Sequence, residues 1–128
     1  MVQTAQAALE KAGIDPMRIT DHPVAGSFEV PLIGRALVEA KEVDALIGLG
    51  IIVEGETHHA RLLADAAAQG MMDVQIRTGI PFAFEILYVK TFEDAKVRAI
   101  GEHNKGEEAA YAVLHSLAEL KRIRSEKN

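Results

Sequence analysis

The spacing of apolar residues along the chain predicts alternating helices and strands. Apolar residues three and four positions apart are typical of amphipathic helices, and short apolar runs bounded by turn residues are typical of buried strands. The predicted helices span residues 2–11, 30–40, 59–77, 91–100 and 107–124, and the predicted strands span 17–21, 43–52 and 82–89. This alternation predicts a single α/β domain over residues 1–128, a three-layer α/β/α fold with helices on both faces of a parallel sheet.

The predicted strand at 43–52 is an almost uninterrupted apolar run, which is typical of a parallel strand buried on both faces. The segment GIIVEGETHH (residues 50–59) then predicts the end of this strand, a loop that contains Gly55, and the start of a helix. Ligands of open parallel sheets bind at such junctions, because the strand ends, the loop backbone and the helix N-terminus converge there. We therefore expect the functional site at this edge, with Gly55 providing a positive φ or a close backbone approach.

The first turn of the helix after Gly55 carries two kinds of chemistry. The hydroxyl of Thr57 is expected to cap the helix, and the backbone N–H groups of Gly55, Glu56 and Thr57 are expected to favour an anion such as phosphate. His59 lies in the same turn, where the positive end of the helix dipole disfavours a charged imidazole ring. Because a neutral ring can accept a proton, His59 is a candidate general base.

Composition and charge exclude several classes of protein. The 128 residues are enough for one hydrophobic core, and the net charge of −5 argues against nucleic acid as a partner. The sequence has no cysteine, which excludes disulfides and thiol chemistry. It also has no signal peptide and no apolar run of membrane-spanning length, so we expect a cytoplasmic protein without a membrane partner.

Three separate parts of the chain carry a family resemblance: VAGSFEVP (residues 24–31), GIIVEGETHH (50–59), and Arg98 with HNKG (103–106). Together they resemble the 6,7-dimethyl-8-ribityllumazine synthase family, and the resemblance extends over nearly the whole chain. It implies the condensation of 5-amino-6-(D-ribitylamino)uracil with 3,4-dihydroxy-2-butanone 4-phosphate, with release of phosphate and without a metal or organic cofactor. It also implies a homo-oligomer, a pentamer or a shell of pentamers, whose active site lies between neighbouring subunits.

The resemblance also implies the roles of individual residues. His59 matches the proton-transferring histidine, Arg98 matches the arginine that contacts the butanone phosphate, and Lys105 matches the lysine near it. The implied phosphate loop comprises Gly55, Glu56 and Thr57. The residues expected to bind the ribitylaminouracil are Ser27, Phe28, Glu29, Ile51, Ile52, Val53 and Phe84.

The sequence departs from the family pattern in several places. Family members begin with a strand and a loop whose aromatic residue stacks on the pyrimidine ring, and this sequence begins at the following helix. In the family strand order 2-1-3-4 that strand lies inside the sheet, so its absence predicts a gap of about 9 to 10 Å between its neighbours. Three outcomes are open: the remaining strands close up, another segment fills the gap, or the chain is a truncated form. In addition, His58 replaces a proline, Glu54 adds a negative charge near the phosphate loop, and Glu85 replaces a glycine.

Other interpretations remain open for these residues. His58 and His59 point about 100° apart on a helix, which argues against a shared metal ion. Arg98 is also spaced to pair with Asp94, four residues earlier. The histidines without a partner pattern are His22, His103 and His115. A different class of function is an assembly protein that keeps the oligomer without catalysis, and a third is a related pterin-binding or riboflavin synthase-like activity.

Overall fold

The computed structural model describes residues 1–101 and 104–126. Over these residues the chain forms five α-helices and two β-strands. In chain order they are α1 (Val2–Lys11), α2 (Val30–Glu39), β1 (Leu46–Val53), α3 (His59–Thr78), β2 (Phe82–Val89), α4 (Phe92–Ala99) and α5 (Lys105–Glu126). Two 3-10 turns, Pro16–Arg18 and Ser27–Glu29, lie between α1 and α2. None of the described helices is both long and apolar enough to cross a bilayer.

β1 and β2 form a parallel sheet, in register from Leu46 opposite Phe82 to Val53 opposite Val89. Successive side chains of a strand point to opposite faces, so the sheet has two sides that need cover. α2 and α3 pack on the face that carries Ile86, and α5 packs on the face that carries its neighbour Glu85. The prediction of an α/β fold with helices and a parallel sheet is therefore confirmed.

The main hydrophobic core lies between the sheet and the helices α2 and α3. Its buried members are Val30, Ile52, Ala60, Ala67, Met71, Val74, Phe82 and Ile86. Gly48 of β1 faces this core, and a Cβ atom built there would lie 2.5 Å from Cε of Met71. The Met71 side chain is fully buried, so it is the missing side chain of Gly48 that allows α3 to pack this close to the sheet.

A second packed layer joins the first and last helices. α1 contacts α5 through small buried residues on both helices: Ala5, Ala8, Ala109 and Ala110. Asn104, directly before α5, connects the two, since its Nδ2 atom donates to Oγ1 of Thr4 at 2.7 Å. Its Oδ1 atom accepts from the backbone N of Gly106 at 2.9 Å and so caps the start of α5. α5 therefore begins two residues before the predicted helix at 107–124.

The predicted strand at 17–21 is wrong. The Pro16–Arg18 segment forms a 3-10 turn, in which the backbone N of Met17 donates to Oδ1 of Asp15 at 2.9 Å. The sequence alternation had predicted a half-buried strand, but the side chain of Met17 is 87% exposed. An aspartate followed by a proline favours a capped turn, and this local preference prevails where no neighbouring strand is paired.

The outer edge of β1 has no neighbouring strand among the described residues. The backbone N atoms of Leu46 and Glu54 donate to carbonyl oxygens on the β2 side, so the alternate peptide groups point outward. These outward residues are Ile47, Leu49, Ile51 and Val53. In the described part of the chain no backbone hydrogen bond connects residues 17–24 to this edge. The sequence left three outcomes open for the missing family strand. The first of them, in which the remaining strands close up, is therefore wrong.

Candidate functional site

The carboxyl end of β1 borders an open cleft of about 400 Å³. Its lining residues are Gly26, Ser27, Phe28, Glu29, His59 and Leu63. A Cβ atom built on Gly50 would lie 3.1 Å from Oγ of Ser27, so the turn that carries Ser27 lies directly over β1. The structure thus brings together the turn at 27–29 and the first residue of α3, which are about thirty positions apart in the sequence.

The start of α3 differs in detail from the prediction. The helix begins at His59, whose backbone N donates to Oγ1 of Thr57 at 3.3 Å. His58 occupies the cap position without a side-chain cap, so the Thr57 hydroxyl closes a turn one residue before it. The expectation that Thr57 itself is the capping residue is corrected accordingly. Glu56 and Thr57 are exposed, which leaves room for an anion beside this backbone.

Gly55 does not play the role expected of it. The described glycines with a positive φ are Gly13, Gly79 and Gly101. A Cβ atom built on Gly55 would meet no atom within 4 Å, so neither a left-handed conformation nor a close approach requires glycine here. Any contribution of this loop to a site comes from its accessible backbone.

The predicted uracil-binding residues of the strands face different directions. Ile52 is buried in the core at 7% exposure, whereas its neighbour Ile51 is 41% exposed on the other face. Val53 is half-buried, and Phe84 is 42% exposed on β2. None of these four lines the cleft that contains His59. Within one copy of the chain, the structure therefore keeps them apart from the cleft.

The two predicted phosphate-binding cations, Arg98 and Lys105, act on each other electrostatically, and Lys105 also interacts with two carboxylates. Nζ of Lys105, the first residue of α5, lies 2.7 Å from Oε2 of Glu108. This hydrogen bond and the charges of Glu108 and Glu85 raise the pKa of Lys105, while burial and the positive charge of Arg98 oppose the rise. We call Glu85, Arg98, Lys105 and Glu108 the charged cluster. Its two positive and two negative side chains leave it close to neutral when all four are ionised.

Arg98 interacts with the backbone of its own helix. Its Nη1 atom donates to the carbonyl oxygen of Asp94 at 3.1 Å, rather than to the carboxylate that the spacing suggested. The backbone N of Asp94 donates to Oγ1 of Thr91 at 3.1 Å, the helix cap that the sequence predicted. His103 of the HNKG motif lies outside the described residues. Across the two described ranges, no three His, Asp or Glu side chains are grouped to hold a metal ion.

The charged cluster and the cleft lie on opposite faces of the sheet. Glu85 is paired with Leu49, the residue directly before Gly50, and successive residues of a strand point to opposite faces of the sheet. Ser27 lies over the face to which Gly50 points, and Glu85 points to the other. Within a single copy of the chain, the sheet therefore lies between the two groups.

Sequence reasoning missed two residues near these groups. Leu63 lines the cleft, but its helical spacing marks it only as a core residue. Asn104 is buried at 4% exposure and holds the turn directly before Lys105. A signal for Asn104 was present, because an asparagine immediately before a predicted helix is a preferred N-cap residue.

The fold and the site define a class of protein: an α/β protein with a parallel sheet, whose cleft lies at the carboxyl end of a strand beside a helix N-terminus. Residues 1–121 match the family model described as 6,7-dimethyl-8-ribityllumazine synthase. The chain belongs to this family, which confirms the resemblance of its three motif regions.

Curated relatives with the same name support this assignment. A 6,7-dimethyl-8-ribityllumazine synthase of Xylella fastidiosa (strain M12) is 41% identical over 101 residues, 78% of this chain and 66% of that protein. One of Xanthomonas axonopodis pv. citri (strain 306) is 38% identical over 115 residues, 89% and 75% of the two chains. One of Thermus thermophilus is 36% identical over 124 residues, which are 96% of this chain and 79% of that protein. The matched part of this chain thus spans about two thirds of the Xylella protein.

Proposed function

We propose that this protein acts as a lumazine synthase. It condenses 5-amino-6-(D-ribitylamino)uracil with 3,4-dihydroxy-2-butanone 4-phosphate to give 6,7-dimethyl-8-ribityllumazine, and it releases phosphate. The observation that carries the proposal is the cleft in which the turn at 27–29 meets His59. These residues come from two separate motifs of the family and converge at the strand end where α/β proteins bind ligands.

The reaction requires proton transfer and stabilisation of a departing phosphate. The substrate amine attacks the ketone and water leaves as the imine forms, phosphate is then eliminated, and the ring closes with loss of a second water. In the proposed mechanism His59 transfers protons during imine formation and elimination. The phosphate is held by Arg98 and Lys105, whose positive charges stabilise its negative charge. The backbone N–H groups of Gly55, Glu56 and Thr57 also hold the phosphate.

Six of the seven other predicted residues bind the ribitylaminouracil in this proposal. Ser27 and Glu29 offer a hydroxyl and a carboxylate to its polar groups, and Phe28 is 61% exposed at the cleft. Ile51, Val53 and Phe84 are accessible enough to make apolar contacts. Ile52 faces the core and supports the strand from behind.

A complete site requires a second copy of the chain. The reaction needs both the proton-transferring residue and the phosphate-binding cations, and these lie on opposite faces of the sheet of one copy. Large apolar side chains on α4 are strongly exposed, with Phe92 at 72% and Val97 at 78%, and such surface is typical of an interface. We propose a cytoplasmic homo-oligomer, a pentamer or a shell of pentamers, in which one copy contributes the cleft and its neighbour the charged cluster.

The first test is an activity assay with a matched pair of histidine variants. The purified protein is given both substrates, and the lumazine product and released phosphate are followed. His59→Gln is expected to lower kcat by roughly 10²- to 10⁴-fold, the usual contribution of a general acid–base residue. His58→Gln changes the adjacent histidine, which does not line the cleft, and is expected to stay within a few-fold of the parent. An assembled parent protein that forms no product above the uncatalysed background overturns the proposal.

A mixing experiment tests the shared site. His59→Gln inactivates the cleft and Arg98→Gln inactivates the charged cluster. Each variant alone should therefore form a nearly inactive homo-oligomer. Reassembly of the two variants together pairs an intact cleft with an intact charged cluster at some interfaces, and activity is expected to return. Mixed oligomers that remain as inactive as the single variants contradict a site built from two copies, as does a parent protein that sediments as a monomer.

A further inference from the structure

Glu85 is a charged residue within an otherwise apolar strand, FAFEILYV. Its side chain is half-buried and points to the face of the sheet that α5 covers. A carboxylate at such a position is destabilised unless a positive charge compensates it. Among the described residues, the positive charge that acts on it is that of Lys105, at the start of α5, which packs against β2 and which the proposed function uses to hold phosphate.

Among the described residues, two charged groups of α5 act on Glu85, and a third group, on α4, acts on one of these two. Lys105 and Glu108 belong to α5 and form an ion pair of 2.7 Å. Arg98 belongs to α4, and its positive charge acts on Lys105. On β1 the paired residue is Leu49, which carries no charge. Burial and the negative charge of Glu108 raise the pKa of Glu85, and the positive charge of Lys105 opposes the rise.

We propose that Glu85 is a positioning residue that sets, through Lys105, how tightly the charged cluster binds the phosphate group of the substrate and of the product. The inference rests on the proposed function in one respect, the assignment of Lys105 and Arg98 to phosphate. An ionised Glu85 competes with the phosphate dianion for Lys105. A neutral Glu85 leaves Glu108 as the only competing carboxylate in the cluster.

This arrangement has a consequence for turnover. Phosphate is part of one substrate and is also a product, so a cluster that binds it too tightly slows product release. Two carboxylates that act on Lys105 lower the affinity of the charged cluster for phosphate at neutral pH. At lower pH, where Glu85 takes up a proton, the cluster binds a dianion more tightly.

Sulfate is a suitable probe, because it remains a dianion over the pH range in which Glu85 titrates, whereas phosphate does not. Its binding to the assembled protein is measured by isothermal titration calorimetry. Glu85→Gln keeps the size of the side chain and removes the charge. It is expected to bind sulfate about two- to fivefold more tightly than the parent at pH 7.5, the effect of a partly exposed charge pair. In the enzyme assay the change is expected in the KM of the butanone phosphate, with a smaller effect on kcat.

Two controls separate this role from a general change of charge or fold. Glu39→Gln removes a carboxylate from the ion pair with Arg35 on α2, and it is expected to leave sulfate affinity unchanged. In a Lys105→Gln background, Glu85→Gln is expected to have no further effect on sulfate affinity, because the group through which it acts is gone. The parent should bind sulfate more tightly as the pH falls from 7.5 to 5, and Glu85→Gln should show a flatter pH profile.

The sulfate measurements test the role of Glu85 separately from the assignment of the charged cluster to phosphate. Equal sulfate affinity of the parent and Glu85→Gln overturns the inference about Glu85 alone. An effect of Glu85→Gln that persists without Lys105 also overturns it, since Glu85 would then act by another route. If neither the parent nor any variant binds sulfate, the assignment of the charged cluster to phosphate is wrong as well. The proposed synthase activity is tested separately by product formation, and it can fail while sulfate binding responds as expected.

Discussion

Asn104 makes the most informative single target for a stability measurement. Its Nδ2 atom donates to Oγ1 of Thr4 at 2.7 Å and to the carbonyl oxygen of Gly101 at 3.1 Å. Its Oδ1 atom accepts from the backbone N of Gly106 at 2.9 Å, in the first turn of α5. One side chain thus connects α1, the second residue after α4 and the start of α5. Asn104→Ala removes all three hydrogen bonds from a buried position.

The expected loss follows from these three bonds. The helix cap contributes about 1 kcal/mol. Each donor bond from Nδ2 contributes about 1 kcal/mol more, so Asn104→Ala is expected to lower the free energy of unfolding by about 3 kcal/mol. With an unfolding entropy of about 2.1 cal/mol/K per residue over 128 residues, this corresponds to a decrease in Tm of about 11 °C.

The assay is urea unfolding followed by circular dichroism, at one fixed protein concentration because assembly makes the apparent stability depend on concentration. Asn104→Asp keeps the oxygen that caps α5 and loses both donors, so it should fall between Asn104→Ala and the parent. An Asn104→Ala protein whose unfolding free energy is within about 0.5 kcal/mol of the parent refutes the reasoning, since surface changes alone reach that size.

Three further predictions address other parts of the fold. Gly34→Ala places a Cβ atom 2.5 Å from the buried ring of Phe82 and is expected to cost about 1–3 kcal/mol in urea unfolding, whereas Gly55→Ala should be nearly neutral. Thr91→Ala removes the cap of α4 and should lower the free energy of unfolding by about 1 kcal/mol, whereas Thr91→Ser should keep most of the parent's stability. Equal stability of the parent and both variants would contradict the cap. Burial raises the folded-state pKa of Glu85 above 4.5, so its ionised form opposes folding at neutral pH and the penalty disappears as the pH falls through that raised value. Urea midpoints should therefore show Glu85→Gln more stable than the parent at pH 7, with the difference shrinking towards pH 4.5, and a constant difference would contradict the assignment.

The sequence predicted the elements that have a strong pattern of their own. The apolar run of β1 predicted a parallel strand, but the expectation that this strand is buried on both faces is wrong for the single chain, where only Gly48 and Ile52 of β1 are buried. Thr91 followed by acidic residues predicted the cap of α4. Residues 17–21 show only two alternations, which a capped turn also produces, so the pattern did not distinguish a strand from a turn. The 3-10 turn at Pro16–Arg18 depends on local bonding by Asp15, which periodicity does not register.

The site was predictable as a set of residues but not as an arrangement. The motifs grouped Ser27, His59, Arg98 and Lys105 because family resemblance is read along the chain. Which face of the sheet each side chain occupies depends on strand register and on the direction of α4 and α5, and neither is contained in a motif. The ion pair of Lys105 with Glu108 was likewise beyond the prediction, although three-residue spacing on a helix permits it.

The cleft owes its geometry to packing across β1 more than to the loop that contains Gly55. Gly50 has no side chain, so the turn of Ser27 approaches the strand closely. Gly48, two residues earlier, admits the buried side chain of Met71, which holds α3 against the sheet and with it the first residue of that helix, His59. The loop between the strand and α3 is exposed, and its glycine has open space around it. The spacing between Ser27 and His59 is therefore set by two glycines of the core strand, which explains why an apolar segment with no chemistry of its own lies at the centre of the site.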